Sequence, residues 1–205
     1  MLNRWRISFG KTTLVPIRVN GWCVADGIKF CDLLWRELPA DGSQISAQLA
    51  VHMGLPFAFA GQFAPEMMME AAALYRQYFK PSATLKQPYL MIGLPVLAAD
   101  TDEQAEYLAT STQQRGLRLI RGQPIFTPPP VASMDGLWNA GEKRAVEGRL
   151  AAAVIGGPVT VKRKLNEFLE LTHANELILF SDFYRLEDRL RSYEIVAGLF
   201  LKPTK

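Results

Sequence analysis

Gly42, Ser43, Gln44 and Ser46 stand just ahead of a short, partly apolar stretch at 47–53, and they are the residues of this 205-residue chain best suited to hold an anion. Backbone N–H groups at a helix start lack intrahelical acceptors and lie at the positive end of the dipole, so glycine and small hydroxyl residues there suit a phosphate. The same residues equally suit a plain helix cap, which needs no ligand. Gly156-Gly157-Pro158 is a second turn of this kind before a helical pattern. Pro158 donates no N–H and no P-loop lysine pattern is present, which favours an ordinary helix start there.

Other chemistry-bearing groups are weaker. Asp100-Thr101-Asp102-Glu103 could be offered as a divalent-metal site, but the spacing of Asp100 and Glu103 is that of a capping box. Cys23 and Cys31 lack CxxC spacing and His52 and His173 are distant, so no metal site is expected and the cysteines read as buried free thiols. Asp182, Arg185, Glu187, Asp188 and Arg189 follow a strand pattern, where either a catalytic pair or surface ion pairs would fit. Met67-Met68-Met69 reads as gap-filling against a sheet rather than as a cofactor surface, and Lys162-Arg163-Lys164 as a solvated helix face.

Strands and helices that alternate must position these groups. Strands are expected at 55–60, 89–99 and 176–181, the second a near-continuous apolar run with Pro95 marking a bend or the end of its ladder. Pro65 opens a helix in which Met68, Ala71, Ala72, Tyr75 and Phe79 recur at helical spacing. Further helices are expected from Asp100 towards Gly122, then at 142–153, 159–171 and 186–201, with 156–158 as a turn. Residues 122–139 are rich in Pro and Gly, and a loop of that length is either a lid or a polyproline surface excursion. The long connections between strands call for an α/β fold with parallel strands.

Apolar residues make up 49% of the chain, enough for one substantial core, and no apolar run approaches a membrane span. No secretory signal pattern opens the sequence, so a cytoplasmic protein is expected. The net charge of +3 lies entirely within the first 40 residues, where Arg4, Arg6, Lys11, Arg18, Lys29 and Arg36 face Asp26, Asp32 and Glu37. Both cysteines and Trp5, Trp22 and Trp35 also lie there, a composition shift that divides a leader, 1–40, from a body, 41–205. The balanced body argues against a dedicated nucleic-acid binder.

The order and spacing of several segments resemble the carboxyl-terminal half of luciferase-like, flavin-dependent monooxygenases. These are Gly54-Leu55-Pro56-Phe57-Ala58-Phe59-Ala60-Gly61-Gln62-Phe63-Ala64-Pro65, Leu74-Tyr75-Arg76, Phe79-Lys80-Pro81-Ser82 and Pro88-Tyr89-Leu90-Met91-Ile92-Gly93. They continue through Ala98-Ala99-Asp100-Thr101-Asp102-Glu103, Gln113-Gln114, Pro128-Pro129-Pro130, Met134-Asp135, Ile155-Gly156-Gly157-Pro158 with Val161, Ala174-Asn175-Glu176-Leu177 and Arg189-Leu190-Arg191-Ser192-Tyr193-Glu194.

The resemblance implies part of a (β/α)8 TIM barrel, with 55–60, 89–99 and 176–181 as strands six, seven and eight and no counterpart of strands one to four. Strand five should precede Gly42, where Glu37-Leu38-Pro39-Ala40-Asp41 stands instead, and the leader does not match. Such a sheet needs its open edge covered: by substitute strands at 12–19 and 21–24, or by another subunit in a homo-oligomer. The alternative is a truncated or frame-shifted remnant. By resemblance, the chain is expected to use FMN, reduced by a separate flavin reductase, to pass one oxygen atom of dioxygen to a small organic substrate. The FMN phosphate is expected at Gly42, Ser43, Gln44 and Ser46, Gln44 replacing a family serine. Gln62 stands where close relatives carry histidine, and it can hydrogen-bond but not act as a titrating acid. The alternative to an enzyme is a non-catalytic flavin-binding or subunit-interaction protein, or an inactive fragment.

Overall fold

The structure, a computed structural model, describes residues 6–7, 44–61, 64–83 and 85–200. In chain order the elements are β1 (Arg6–Ile7), α1 (Gln44–Met53), β2 (Phe57–Ala60), a 3-10 turn (Pro65–Met67), α2 (Met68–Tyr78), β3 (Leu90–Ala98) and α3 (Asp102–Ile120). They continue with α4 (Ala140–Arg149), β4 (Val154–Gly156), α5 (Pro158–Thr172), β5 (Glu176–Phe180) and α6 (Leu186–Phe200). The strand order is β1-β5-β3-β2, every pairing is parallel, and β4 adds to β3. This is the sheet of a partial (β/α)8 barrel, with β2, β3 and β5 as adjacent staves and helices between them.

Side-chain alternation along the strands divides the two faces of the sheet. Phe57 and Phe59 of β2, Leu90, Ile92, Leu94 and Val96 of β3, and Leu177 and Leu179 of β5 are buried in one continuous core. The helices supply its other wall through Ala47, Ala50 and Val51 of α1, Ala71, Ala72 and Tyr75 of α2, Val161 and Leu165 of α5, and Ile195 and Val196 of α6. The alternate strand residues Ala58, Met91, Gly93, Ile178 and Phe180 are only half-buried. At the carboxyl ends of the strands, Leu97 and Ala99 meet Ala105, Leu108 and Ala109 of α3 and Phe183 in a second cluster.

Tyr75 fastens the opposite end. Its hydroxyl donates to the Leu55 carbonyl at 2.7 Å and accepts the Tyr89 N–H at 3.1 Å, joining the segments that enter β2 and β3. Burial pushes its pKa up.

Pro95 marks an exchange of partners. The β3–β5 ladder ends at the pair Pro95 and Phe180, and the next residues, Val96, Leu97 and Ala98, pair with Val154, Ile155 and Gly156 of β4. The expected turn at 156–158 is therefore corrected at its start, because Gly156 closes a strand and only Gly157 precedes the helix. Pro65 likewise opens a 3-10 turn before α2 rather than the α-helix itself. The helix expected at 142–153 runs instead over Ala140–Arg149, set by a full capping box between Asn139 and Glu142.

One piece of the leader joins the sheet: Arg6 and Ile7 pair in parallel with Ile178 and Leu179 of β5. That edge is where a closed barrel places strand one against strand eight. The substitute strands expected at 12–19 and 21–24 lie outside the described residues.

Candidate functional site

The helix N-termini differ in what anion they already hold. The first turns of α2, α3, α4 and α6 each carry Asp or Glu, whereas those of α1 and α5 carry none. At α5 the Asp102 carboxylate, reaching over from the start of α3, fills the place. Its Oδ1 accepts the Gly157 N–H at 2.6 Å and its Oδ2 the Thr160 hydroxyl at 2.9 Å. These two bonds, with smaller contributions from Lys164 and Arg163, hold its pKa below the ordinary carboxylate range. Gly156 permits the approach: at φ 154° it lies outside ordinary L-residue space, and a Cβ there would come within 2.6 Å of Thr160 Cγ2 and 2.8 Å of Asp102 Oδ1. The second anion seat anticipated at Gly156-Gly157-Pro158 thus holds an internal carboxylate.

α1, like α5, carries no Asp or Glu in its first turn. Gln44 is its first residue and Ser46, half-buried, lies in its first turn. Gly42 and Ser43 lie outside the described residues, as does Gln62 beyond the end of β2.

The acidic run at 100–103 is capped one residue later than the sequence suggests. Thr101 is the N-cap, its hydroxyl accepting the Gln104 N–H at 3.2 Å, which leaves Asp102 free to reach α5 and Asp100 to pair with Arg191 at 2.6 Å. Among the described residues no group of three or more His, Cys, Asp or Glu is arranged to hold a metal ion, and no helix is long and apolar enough to cross a membrane.

Hydroxyls line the split between β3 and β5 at their carboxyl ends. Ser181 donates to the Val96 carbonyl at 2.6 Å, Ser192 of α6 accepts the Ala98 N–H at 3.0 Å, and the two serine oxygens lie 3.0 Å apart. Tyr193 Oη accepts the Ser181 N–H at 3.0 Å. Backbone groups that the ladder leaves behind at Phe180 are thereby satisfied by side chains, and the two staves can diverge. In parallel α/β sheets, ligand sites lie at this end of the strands.

The charged group beyond β5 resolves into separate pairs. Asp182 is bonded to Arg115 and accepts the Thr127 hydroxyl at 3.4 Å, and Arg185 pairs with Glu187 at 3.4 Å. Residues 122–139, for which a lid was one expectation, are strapped to α3. Thr110 bonds both the N–H and the carbonyl of Val131, at 2.9 and 3.2 Å, and Gln114 donates to the Pro129 carbonyl at 2.9 Å. Arg121 donates to the Leu137 carbonyl at 2.9 Å, and Met134 is buried with Leu117 and Val146. These fixings were not readable locally, since each joins residues 15 to 21 positions apart.

Met68 is buried in the core, as gap-filling requires, while Met69 is exposed. Within the basic cluster Arg163 pairs with Glu167 at 2.8 Å and Lys164 donates to the Ile155 carbonyl at 3.0 Å. Lys162, Arg163 and Asn166 border an open groove with Pro158, Val159 and Leu199, all residues of α5 and α6.

No family model matches the chain. It is 46% identical over 175 residues to the uncharacterized protein YvbT of Bacillus subtilis (strain 168), covering 80% of this chain and 52% of that protein. It is 41% identical over 153 residues to the luciferase-like monooxygenase of Escherichia coli (strain K12), covering 75% and 46%. Among solved structures, apo-MsnO8 superposes with a TM-score of 0.71 at 31% identity, covering 80% of this chain and 50% of that one. The chain spans about half the length of the relatives it matches.

Proposed function

Since the chain belongs to the luciferase-like monooxygenase family, matched over about half the length of its relatives, we propose that it acts as the carboxyl-terminal part of an FMN-dependent monooxygenase. The observation that carries the proposal is the 41% identity to a luciferase-like monooxygenase across residues that fold as adjacent parallel staves. A first turn of α1 that carries no Asp or Glu supports the cofactor reading. In this proposal Gly42, Ser43, Gln44 and Ser46 receive the FMN phosphate, with the helix dipole offsetting its charge.

When bound, reduced flavin supplies the redox chemistry that activates dioxygen; the protein binds, orients and excludes water. In this reading the small organic substrate would be received at the carboxyl ends of β3 and β5. Gln62, two residues beyond β2, offers hydrogen bonds and no titrating proton, so it orients rather than protonates. A separate flavin reductase, a cytoplasmic setting and a homo-oligomer complete the proposal.

Incubation of the full chain with FMN, gel filtration and visible absorption test it. Flavin should co-elute with the protein, and replacement of Ser46 by Ala should weaken FMN by roughly fivefold, the loss of about one hydrogen bond, with riboflavin unaffected. Oxygen consumption coupled to a reductase should follow. Retained flavin without turnover would favour the non-catalytic flavin-binding protein, and elution without flavin would overturn the proposal.

A further inference from the structure

We propose that Arg189 receives an anionic oxygen of the ligand, a carboxylate or a phosphate, at the carboxyl-terminal mouth of the sheet. Arg189 lies in the first turn of α6, three and four residues before Ser192 and Tyr193, so it shares the helix stripe whose hydroxyls bond the ends of β3 and β5. Its Nε is buried with no acceptor, and its Nη2 makes a single long bond, 3.5 Å, to the Phe183 carbonyl. Among the described residues no carboxylate pairs with it.

Every neighbouring arginine is served. Arg115 holds Asp182, Arg185 holds Glu187, and Arg191 holds both Asp100 and Glu194. Asp182, the acid nearest to Phe183 in the chain, is already committed to Arg115 and Thr127. A cation in the first turn of a helix also opposes the dipole. Burying a donor without an acceptor costs free energy, and nothing among the described residues returns it. The planar guanidinium is shaped to take two anion oxygens at once, which would satisfy the orphaned Nε.

Arg76 provides the contrast. Its Nε is buried and unbonded too, but its Nη2 donates to the His173 carbonyl ahead of β5, at the amino-terminal end of the strands. Residues at that end of a barrel serve stability, and those at the carboxyl end serve chemistry. The location of the site, though not the unpaired cation, rests on the monooxygenase reading.

The test is calorimetric titration of the full chain with two matched pairs, FMN with riboflavin and octanoate with octanol. Arg189→Met should weaken at least one anion by roughly ten- to hundredfold and leave its neutral partner unchanged, with Arg189→Lys in between. A loss confined to octanoate assigns the site to a substrate head group; a loss confined to FMN assigns it to the flavin phosphate and overturns the seat proposed at Gly42, Ser43, Gln44 and Ser46. Equal loss for anion and neutral partner in both variants would mark a structural role and overturn the proposal. So would unchanged binding in Arg189→Met, or a wild type that prefers neither anion. Failure of both flavins to bind, with an octanoate preference that needs Arg189, would remove the flavin reading alone.

Discussion

At the scale of single residues, Asp102 shows how a side chain can decide where a ligand does not bind. Barrels often seat phosphate at a helix N-terminus near the last two strands, and α5 begins in that region behind Gly156 and Gly157. Here the seat is closed from within by a carboxylate accepting the Gly157 N–H and the Thr160 hydroxyl. Removing the carboxylate should reopen the seat. Asp102→Ala is expected to melt several degrees lower than wild type in dilute buffer, and inorganic phosphate should restore part of the loss while leaving wild type unmoved. Scanning calorimetry with and without phosphate makes the comparison; equal responses in the two proteins would show that the seat has no anion preference. The effect should also fade in acid. The Asp102 pKa is depressed on folding, so its contribution is present above the ordinary value of 3.8 and is lost as pH falls below it.

At the scale of elements, sequence legibility followed the range of the interactions. β3 was readable because its apolar run reports burial on both faces, and α2 because Met68, Ala71, Ala72 and Tyr75 repeat at helical spacing. β4 was not: Val154, Ile155 and Gly156 are too few to show a period, and they extend only because β3 exposes Val96, Leu97 and Ala98 to them. The strapping of 122–139 was equally hidden, since its composition is that of a loop and its fixings come from α3. Of the anticipated site, Ser46 falls in the first turn of α1, while Gly42, Ser43 and Gln62 lie outside the described residues. The junction of α3 and α4 makes a pH prediction. Arg121 and the Asn139 N–H hold the Glu142 carboxyl at about 2, against an ordinary 4.5. A depressed carboxyl stabilises the fold fully above its unfolded value and loses that effect as pH falls towards the folded one. Glu142→Gln should therefore melt below wild type at neutral pH, with the gap closing between pH 4.5 and about 2. A gap that persists unchanged to the acid end would show that Glu142 acts through packing instead of charge.

Across the whole molecule the buried residues fall into unequal blocks, and this sets which parts open together. The large core ties β2, β3 and β5 to α1, α2, α5 and α6, whereas Leu117, Met134 and Val146 form a separate small cluster. α4 buries Val146 alone, so its attachment rests on one side chain, the Glu142 link and the caps. Local opening takes the least packed unit first. Val146→Ala should cost that block about 2 kcal/mol, or roughly thirtyfold faster amide exchange. Hydrogen exchange read by mass spectrometry should place the change in 122–139 and α4, with β3 and β5 as protected as before. Ile92→Ala, at a fully buried position in the centre of β3, should behave in the opposite way, costing about 2–5 kcal/mol and accelerating exchange in β3, β5, α5 and α6 together. If Val146→Ala loosened β3 to the same degree, the α3–α4 excursion would be part of one cooperative core rather than an attachment to it. The separation of this small cluster from the large core lets the α3–α4 excursion open without unfolding β3 and β5 or the helix α6 packed on them.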